Sequence, residues 1–414
     1  MWKLPPIVGE IIDRQAKIVF EVMDKSSLVH YRIKEKSHHV PVESSGPTNV
    51  LLKFKKDGIY IIHWLINNQL QYQHQVIISN HIKKLIFVSC DLLEADTKHS
   101  LWHRMIQEVS NERVAIMHLG DQAYMDPVFN ECKKILTDSI SLNHLQECFE
   151  LYGNRYCDTW RPHIELLSNV SNYYLWDDHE IYNDIQLDNI NDEITRNIAN
   201  VAVKAYDLYQ QSFHINKTNV INQYCWVKYV NEGVVIMTIE RTSRDIELNE
   251  IFDAILKLEK VETLILCFSS APIPRPQGFY GKIYGSLKGF GKFWDQEELL
   301  VLYQWLFTWM GEKQVIVVGG DVHFGVYGHM MKGDLTIPVI IASPITNQPY
   351  ADRSLASKGM SVHRLDDITF TTISTKAKRC YATLDLDTMA INMVYSQNQY
   401  PKNKMKYIKT LSKF

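Results

Sequence analysis

Four short apolar segments of this chain are each followed at once by residue types that bind metal ions in proteins. In chain order the residues that follow are Cys90, then Asp121 with Tyr124, then Asp178 with His179, then Asp321 with His323. Each segment reads as a buried strand, and the carboxyl ends of strands in an α/β sheet share one edge. One acid at a strand end is usually part of a plain turn, but four such ends are difficult to explain by turn chemistry. The spacing therefore predicts a metal site.

One subset of these residues has the mixed chemistry that iron prefers. Cys90, Tyr124 and His323 offer a thiolate, a phenolate and an imidazole. With one carboxylate oxygen of Asp121 they form a soft and hard set suited to iron or zinc. The sequence therefore predicts one metal ion held by these four residues.

A second subset is made of oxygen ligands alone. Asp178, Asp321 and the other oxygen of Asp121 suit calcium, magnesium or manganese, so Asp121 would bridge two unlike metal ions. Two metal ions roughly 3.5–4 Å apart polarise a phosphoryl oxygen and generate a hydroxide nucleophile near neutral pH. His179 would donate a proton to the leaving oxygen, or alternatively support a ligand by a hydrogen bond.

Two patterns divide the chain near residue 82. Residues 1–82 contain short alternating segments with no helical period between them, which predicts a small antiparallel sandwich. From residue 83 apolar strands alternate with helix-period segments, one of them predicted over 131–151, so a mixed α/β layered sheet is expected. The segment 177–193 has seven acids and no Lys or Arg, and either supplies a cation site or is a solvated loop. The segment 271–294 has no acids, and is predicted to be a basic loop that covers a phosphorylated substrate or is simply flexible.

The composition narrows the class of partner. The net charge is −3, with 44 Lys and Arg against 47 Asp and Glu, so no nucleic-acid surface is evident and a small-molecule substrate is expected. Seven scattered cysteines without a Cys-x-x-Cys pair favour a reducing compartment. No apolar window approaches the roughly 18 residues of a membrane helix. Neither a signal-peptide pattern nor a twin arginine is seen, so a cytoplasmic protein is expected. The sequence carries no prediction of oligomeric state.

Four sequence blocks together resemble the PhoD-type alkaline phosphatases of the calcineurin-like metallophosphoesterases, which are related to purple acid phosphatases. The blocks are Ser89-Cys90-Asp91, Gly120-Asp121-Gln122-Ala123-Tyr124-Met125-Asp126, Trp176-Asp177-Asp178-His179-Glu180 and Gly320-Asp321-Val322-His323-Phe324-Gly325. The opening 6–11, Phe293-Trp294-Asp295 and Arg379-Cys380-Tyr381-Ala382 also fit that family. The order and spacing of the four blocks are far more specific than any single block.

The resemblance implies a four-layer α/β/β/α metallophosphatase sandwich over 83–414, preceded by a small all-β (immunoglobulin/fibronectin-like) domain over 1–82. It implies a dinuclear or trinuclear centre of Fe³⁺ with Ca²⁺, with Mn²⁺, Mg²⁺ or Zn²⁺ as alternatives. By this resemblance Cys90, Asp121, Tyr124 and His323 hold the iron; Asp121, Asp178 and Asp321 hold calcium; His179 is catalytic; Glu180 and Asn183 support the ligands; and Asp126 orients one of them. No other cofactor is implied.

One block departs from the family pattern. The family usually has Asp-Thr-Arg after the central hairpin, whereas this chain has Glu240-Arg241-Thr242-Ser243-Arg244. Arg241 or Arg244 would bind phosphate in a bidentate manner, or the two form a plain surface arginine pair. A secretion signal, common in the family, is also not seen.

The combined expectation is a metal-dependent phosphoesterase that hydrolyses phosphate esters by attack of a metal-bound hydroxide. One alternative keeps the site but makes the substrate a nucleotide or phospholipid-type diester. Another is a catalytically retired phosphatase fold that only binds, although none of the expected ligands is missing. A redox protein using Cys90 and iron is disfavoured, because the oxygen-only site would then have no purpose.

Overall fold

The chain folds into a mixed α/β structure, as the sequence predicts. The computed structural model describes residues 1–95, 98, 100–109, 112–215, 218–219, 225–240, 247–288, 293–349 and 351–397. Within these ranges the strands form four sheets of three, four, five and nine strands.

The first 78 residues form strands and turns. The strands are β1 (Trp2–Ile12), β2 (Gln15–Val22), β3 (Val29–Ile33), β4 (Lys36–Val40), β5 (Thr48–Lys53), β6 (Gly58–Ile66) and β7 (Gln69–Ile78). They pair antiparallel in two sheets, β1-β2-β5 and β4-β3-β6-β7, which share a core around Trp64 and Phe20. β1 contains Pro5 and Pro6, which are unusual within a strand. The β1–β2 register shifts between Leu4 and Ile7, and this irregularity accommodates the two prolines.

Two larger sheets contain the remaining strands. These are β8 (Lys84–Val88), β9 (Val114–Leu119), β10 (Ser171–Leu175), β11 (Thr218–Asn219), β12 (Trp226–Asn231), β13 (Val234–Ile239), β14 (Thr263–Phe268), β15 (Gln314–Gly319), β16 (Gly325–Lys332), β17 (Leu335–Ile341), β18 (Val362–Leu365), β19 (Ile368–Lys376), β20 (Cys380–Asp385) and β21 (Ile391–Tyr395). The five-stranded order is β10-β9-β8-β20-β21, and the nine-stranded order is β11-β12-β13-β14-β15-β17-β16-β19-β18.

The described helices connect these strands. They are α1 (Ser100–Glu108), α2 (Asp126–Asp138), α3 (Leu142–Trp160), α4 (Ile164–Leu167), α5 (Glu193–Tyr209), α6 (Leu248–Leu256), α7 (Gly278–Lys288), α8 (Gln296–Met310) and α9 (Ala351–Lys358). Among the residues that the structure describes, none of these helices combines the length and apolarity required to cross a membrane.

The central strands of the two large sheets are buried on both faces. Phe87 of β8 and Ile265 of β14 belong to one cluster that the five- and nine-stranded sheets share. The alternate residue Ile86 packs in a second cluster with α1–α5, and Leu264 packs in a third with α6 and α8. This burial on both faces explains why these strands read as continuous apolar runs.

Two predicted elements differ from the structure. The segment 131–151, predicted as a single helix, contains the end of α2 and the start of α3, because the helical conformation is interrupted at residues 139–141. The Ser141 side chain caps α3 by accepting a hydrogen bond from His144 N at 3.2 Å. The segment 271–294 is not only loop, since it contains α7 over Gly278–Lys288; its residues 289–292 lie outside the described residues.

Candidate metal centre

Three of the four predicted strand ends are neighbours in the five-stranded sheet. β8, β9 and β10 run parallel, so their carboxyl ends lie at one edge. The fourth end, that of β15, comes from the nine-stranded sheet and approaches them closely. A Cβ built on Gly320 would lie 3.0 Å from the carbonyl oxygen of Leu119 and 3.0 Å from Cβ of Ser89. A larger residue at 320 would therefore keep the two sheets from meeting at this point.

The backbone is strained at several predicted ligands. Cys90, Asp121, Asp321 and His323 have φ values of 58°, 56°, 63° and 56°. This left-handed region is uncommon for non-glycine residues and costs roughly 1–2 kcal/mol per residue. Such conformations are concentrated at functional sites, where the surrounding structure holds them. The strain therefore supports a functional role for this edge.

The residues predicted for the iron side lie together. The Cys90 Sγ is 3.5 Å from Asp121 Oδ2, and the Tyr124 hydroxyl is 3.2 Å from the same oxygen. The Tyr124 hydroxyl is also 3.1 Å from His323 Nε2. Donor atoms of Cys90, Asp121 and His323 lie within 4.8 Å of one another. One metal ion could therefore contact all four residues.

The other oxygen of Asp121 faces the oxygen-ligand side. Its Oδ1 accepts from His179 N at 3.4 Å, and Asp178 Oδ1 accepts from the same N–H at 3.1 Å. Donor atoms of Asp121, Asp178 and His179 lie within 4.8 Å of one another, as do those of Asp121, Asp177 and Asp321. Asp121 is thus common to all three donor groups, which is the position of a bridging ligand.

The His179 ring is held by Asp126, the first residue of α2. Its Nδ1 is 2.7 Å from Asp126 Oδ2, and Asp126 Oδ1 accepts from Asn183 N at 2.9 Å. The ring also packs on Tyr124 with the centroids 4.2 Å apart. Burial lowers the pKa of His179, but Asp121, Asp126 and Asp178 outweigh it and raise the pKa to about 10. The hydrogen bond to Asp126 therefore favours the protonated imidazole.

Glu180 fixes the backbone beneath the site. Its buried carboxylate accepts from the backbone N–H groups of Asp121, Gln122 and Asp177 at 3.1, 2.7 and 2.8 Å, and from Gln210 Nε2 at 3.2 Å. Burial and the charge of Asp121 raise the pKa of Glu180, while these donors oppose the rise. Glu180 therefore sets the relative position of the loops after β9 and β10.

The donor set fits metal ions. Asp121, Asp178 and Asp321 are at most 3% exposed, and three buried carboxylates so close together need positive charge nearby. Burial, Asp121 and Asp321 raise the pKa of the Cys90 thiol well above its usual range. Burial, Cys90 and Asp121 do the same to the pKa of the Tyr124 phenol. Both groups are therefore protonated without a cation, and metal binding would release their protons.

Comparison with solved structures identifies the fold. No family model and no curated protein matches the chain. The structure of PhoD superposes with a TM-score of 0.60 at 13% identity, over 96% of this chain and 93% of PhoD. The chain has the PhoD fold. A purple acid phosphatase from yellow lupin (Lupinus luteus) seeds superposes with a TM-score of 0.57 at 11% identity, over 92% of this chain and 69% of that one.

Within this PhoD fold, the structure places most of the predicted site residues at one point. Cys90, Asp121, Tyr124, Asp178, Asp321, His323 and His179 converge there, with Asp126, Glu180 and Asn183 around them. Their roles as ligands and catalyst stay predictions. Arg241 and Arg244 lie outside the described residues.

Sequence reasoning missed two residues that the PhoD fold brings to this point. Asp177 belongs to one donor group but is only the neighbour of the assigned Asp178 in the sequence. Ser343 lies just after β17, and its Oγ is 3.3 Å from Cys90 Sγ and accepts from His323 N at 3.1 Å. The signal for Ser343 is its place after the apolar run of β17, which runs parallel to β15 and ends at the same edge of the nine-stranded sheet.

Proposed function

We propose that this chain is a metal-dependent phosphoesterase of the alkaline phosphatase D type that acts on small phosphate esters. The observation that carries the proposal is the position of Asp121, with Oδ2 toward Cys90 and Tyr124 and Oδ1 toward the His179 and Asp178 side. A carboxylate placed in this way suits two adjacent metal ions of unlike chemistry. The fold shared with PhoD and a purple acid phosphatase supports the same class.

The residues divide into two ligand sets around Asp121. Cys90, Tyr124 and His323 would hold Fe³⁺, and Asp178 and Asp321 would hold Ca²⁺, with Mn²⁺, Mg²⁺ or Zn²⁺ as alternatives. The bound ions would supply Lewis-acid activation of a water molecule and of the phosphoryl oxygen.

His179 would act as the proton donor. Because its Nδ1 is held by Asp126 at 2.7 Å, its Nε2 is the nitrogen left to give a proton to the leaving oxygen. The hydrogen bond to Asp126, which is not among the proposed ligands, favours the protonated imidazole that this role needs. Arg241 or Arg244 would bind a phosphate oxygen, although neither belongs to the described residues.

We also infer that the sheets form a four-layer α/β/β/α catalytic domain over 83–414, with an all-β domain over 1–82 in front of it. The three apolar clusters of the larger part support this order of layers. The fourth cluster, around Trp64, supports a separate core for the first 82 residues.

The test is the replacement Asp121→Asn. We expect it to abolish both bound metal and hydrolysis of an aryl phosphate monoester, because the amide removes the shared negative ligand. Asp188→Asn, an exposed acid in the 177–193 segment, is the matched control and should keep both. Elemental analysis and parallel assays of an aryl monoester and an aryl diester measure the outcome and assign the ester class. An active, metal-loaded Asp121→Asn protein would refute the proposal.

A further inference from the structure

Arg155 on α3 connects two loops that carry proposed metal ligands. Its Nε donates to the backbone carbonyl oxygen of Tyr124 at 3.0 Å. Its two terminal nitrogens donate to the two carboxylate oxygens of Glu94, one of them at 2.9 Å. Glu94 lies in the loop that follows Cys90 and leaves β8, whereas Tyr124 lies in the loop that leaves β9. One planar guanidinium thus links the two loops.

The Arg155 link contributes more to the relative position of the two loops than to the free energy of unfolding. Glu94 is 58% exposed and Arg155 is 11% exposed, and ion pairs with an exposed partner contribute little to the free energy of unfolding. A bidentate arginine nevertheless fixes direction, because its donors form a rigid fork. Lysine, a single flexible point charge, lacks that fork.

The loop that contains Glu94 is held by hydrogen bonds from two other segments of the chain. The Thr346 hydroxyl donates to the carbonyl oxygen of Leu92 at 3.1 Å, and Arg379 donates to that of Ala95. Arg155 therefore ties the Tyr124 backbone to a segment that is already held from two other elements.

Tyr124, whose backbone carbonyl accepts from Arg155, has its hydroxyl oxygen at the site. The Tyr124 hydroxyl is 3.2 Å from Asp121 Oδ2 and 3.1 Å from His323 Nε2. The next backbone N–H, that of Met125, donates to the carbonyl oxygen of His179 at 2.9 Å. A shift of the Tyr124 carbonyl would therefore move the phenol oxygen relative to the other donors.

We propose that Arg155 is a positioning residue that directs the Tyr124 phenol oxygen toward the metal centre. The inference rests on the proposed function, in which Tyr124 is a ligand on the iron side. It assigns to Arg155 control over how Tyr124 meets the metal ion, without contact between Arg155 and that ion.

The experiment compares Arg155→Gln and Arg155→Lys with the unchanged protein after one equivalent of ferric iron is added to metal-free protein. Arg161→Gln is the matched control, because Arg161 also bonds one carbonyl, that of Lys3 at 2.8 Å, and one carboxylate, that of Asp158 at 3.2 Å. The readouts are the phenolate-to-iron absorption band, the rate of iron loss to a chelator and the unfolding temperature.

We expect both Arg155 variants to shift or weaken the band and to lose iron about tenfold faster, the usual size of such supporting effects. The unfolding temperature should stay near that of the unchanged protein, and Arg161→Gln should change nothing. Because Glu94 is exposed, Glu94→Gln should fold normally and show a smaller shift of the band in the same direction.

The possible outcomes separate the two proposals. If the unchanged protein shows no phenolate-to-iron band, the iron side of the proposed function fails, and this inference fails with it. If that band is present and the Arg155 and Glu94 variants match it, only the positioning role is overturned. A full rescue by Arg155→Lys, or a band that changes only in step with a lower unfolding temperature, would also overturn it.

Discussion

Asp177 has a buried carboxylate whose role in the site can be tested separately from its role in the turn. Its side chain accepts from Asp178 N at 2.9 Å and caps the 3-10 turn Asp178–Glu180, while a carboxylate oxygen lies within 4.8 Å of donor atoms of Asp121 and Asp321. An asparagine keeps the cap oxygen and removes the charge. The two roles therefore predict different results for one substitution.

We expect Asp177→Asn to weaken binding of calcium, or of the metal in its place, at least about tenfold. Iron content and the unfolding temperature should change little. The matched control is Asp192→Asn at the start of α5, where the carboxylate accepts from Thr195 N at 2.7 Å in an equivalent cap. Metal titration followed by elemental analysis measures the effect. Unchanged calcium affinity would show that Asp177 only caps the turn and takes no part in metal binding.

At the residue scale, the sequence was informative wherever a ligand type followed an apolar run. It indicates Cys90, Asp121 and Asp321 because each lies two residues after the end of a strand. It assigns Asp178 but does not show that Asp177 also lies at the site, because the turn fixes the directions of the two adjacent side chains. Nor could it show the positive φ at Cys90 or His323, which depends on contacts across two sheets.

Gly120 determines how closely the loop after β9 approaches the loop after β10. A Cβ built on Gly120 would lie 2.4 Å from Cβ of Asp177, and its φ is 90°. Gly311, after α8, also has a positive φ, 52°, but a Cβ there would meet nothing within 4 Å. The two glycines therefore separate backbone strain from a steric clash.

We expect Gly311→Ala to cost about 1–3 kcal/mol of unfolding free energy, from backbone strain alone. Gly120→Ala should cost about 2–6 kcal/mol, because overpacking adds about 1–3 kcal/mol to the strain. Urea unfolding of both variants measures the difference. Equal losses would show that the loops after β9 and β10 can separate without penalty.

At the element scale, buried strands were more predictable than helices. The continuous apolar runs Val114–Leu119 and Thr263–Phe268 form β9 and β14, and short runs of this kind are typical of buried strands. The sequence predicts a loop where α7 forms, because Gly278, Gly281 and Gly285 lower the intrinsic helix propensity of this segment. In the structure α7 packs on α9, where Arg353 donates to the Tyr284 hydroxyl. That support comes from a residue far along the chain, which local pattern cannot reveal.

At the scale of the whole molecule, the first strands pack more closely against the elements after residue 82 than the change of sequence pattern there indicates. Leu4, Ile7 and Val19 belong to the same apolar cluster as α2 and α3. The Asn172 side chain donates to the carbonyl oxygen of Val8 at 2.8 Å. Local periodicity shows where the sequence pattern changes, but not which side chains of the first strands contact the elements that follow. The domain division at residue 82 stays a prediction.

A buried ion pair joins the same two parts and allows their coupling to be measured. Lys228 of β12 is 3.1 Å from the Glu10 carboxylate of β1, with side chains 7% and 2% exposed, and Glu10 also accepts from Ile215 N at 2.5 Å. Burial lowers the pKa of Lys228, and the neighbouring Glu10 carboxylate offsets only part of this effect. Removing one partner would leave an uncompensated charge in the interior.

We expect Lys228→Met alone to lower the free energy of unfolding by about 3–5 kcal/mol. The double replacement Glu10→Gln with Lys228→Met should recover most of it, because glutamine keeps an acceptor for Ile215 N and neither member of the pair stays charged without the other. Removing the exposed pair Arg14–Asp57, at 2.8 Å with side chains 51% and 48% exposed, should cost under about 1 kcal/mol. Urea unfolding in a double-mutant cycle measures all three effects. A double variant as unstable as the sum of its single variants would mean that the two parts are coupled by packing around these residues and not by their charges.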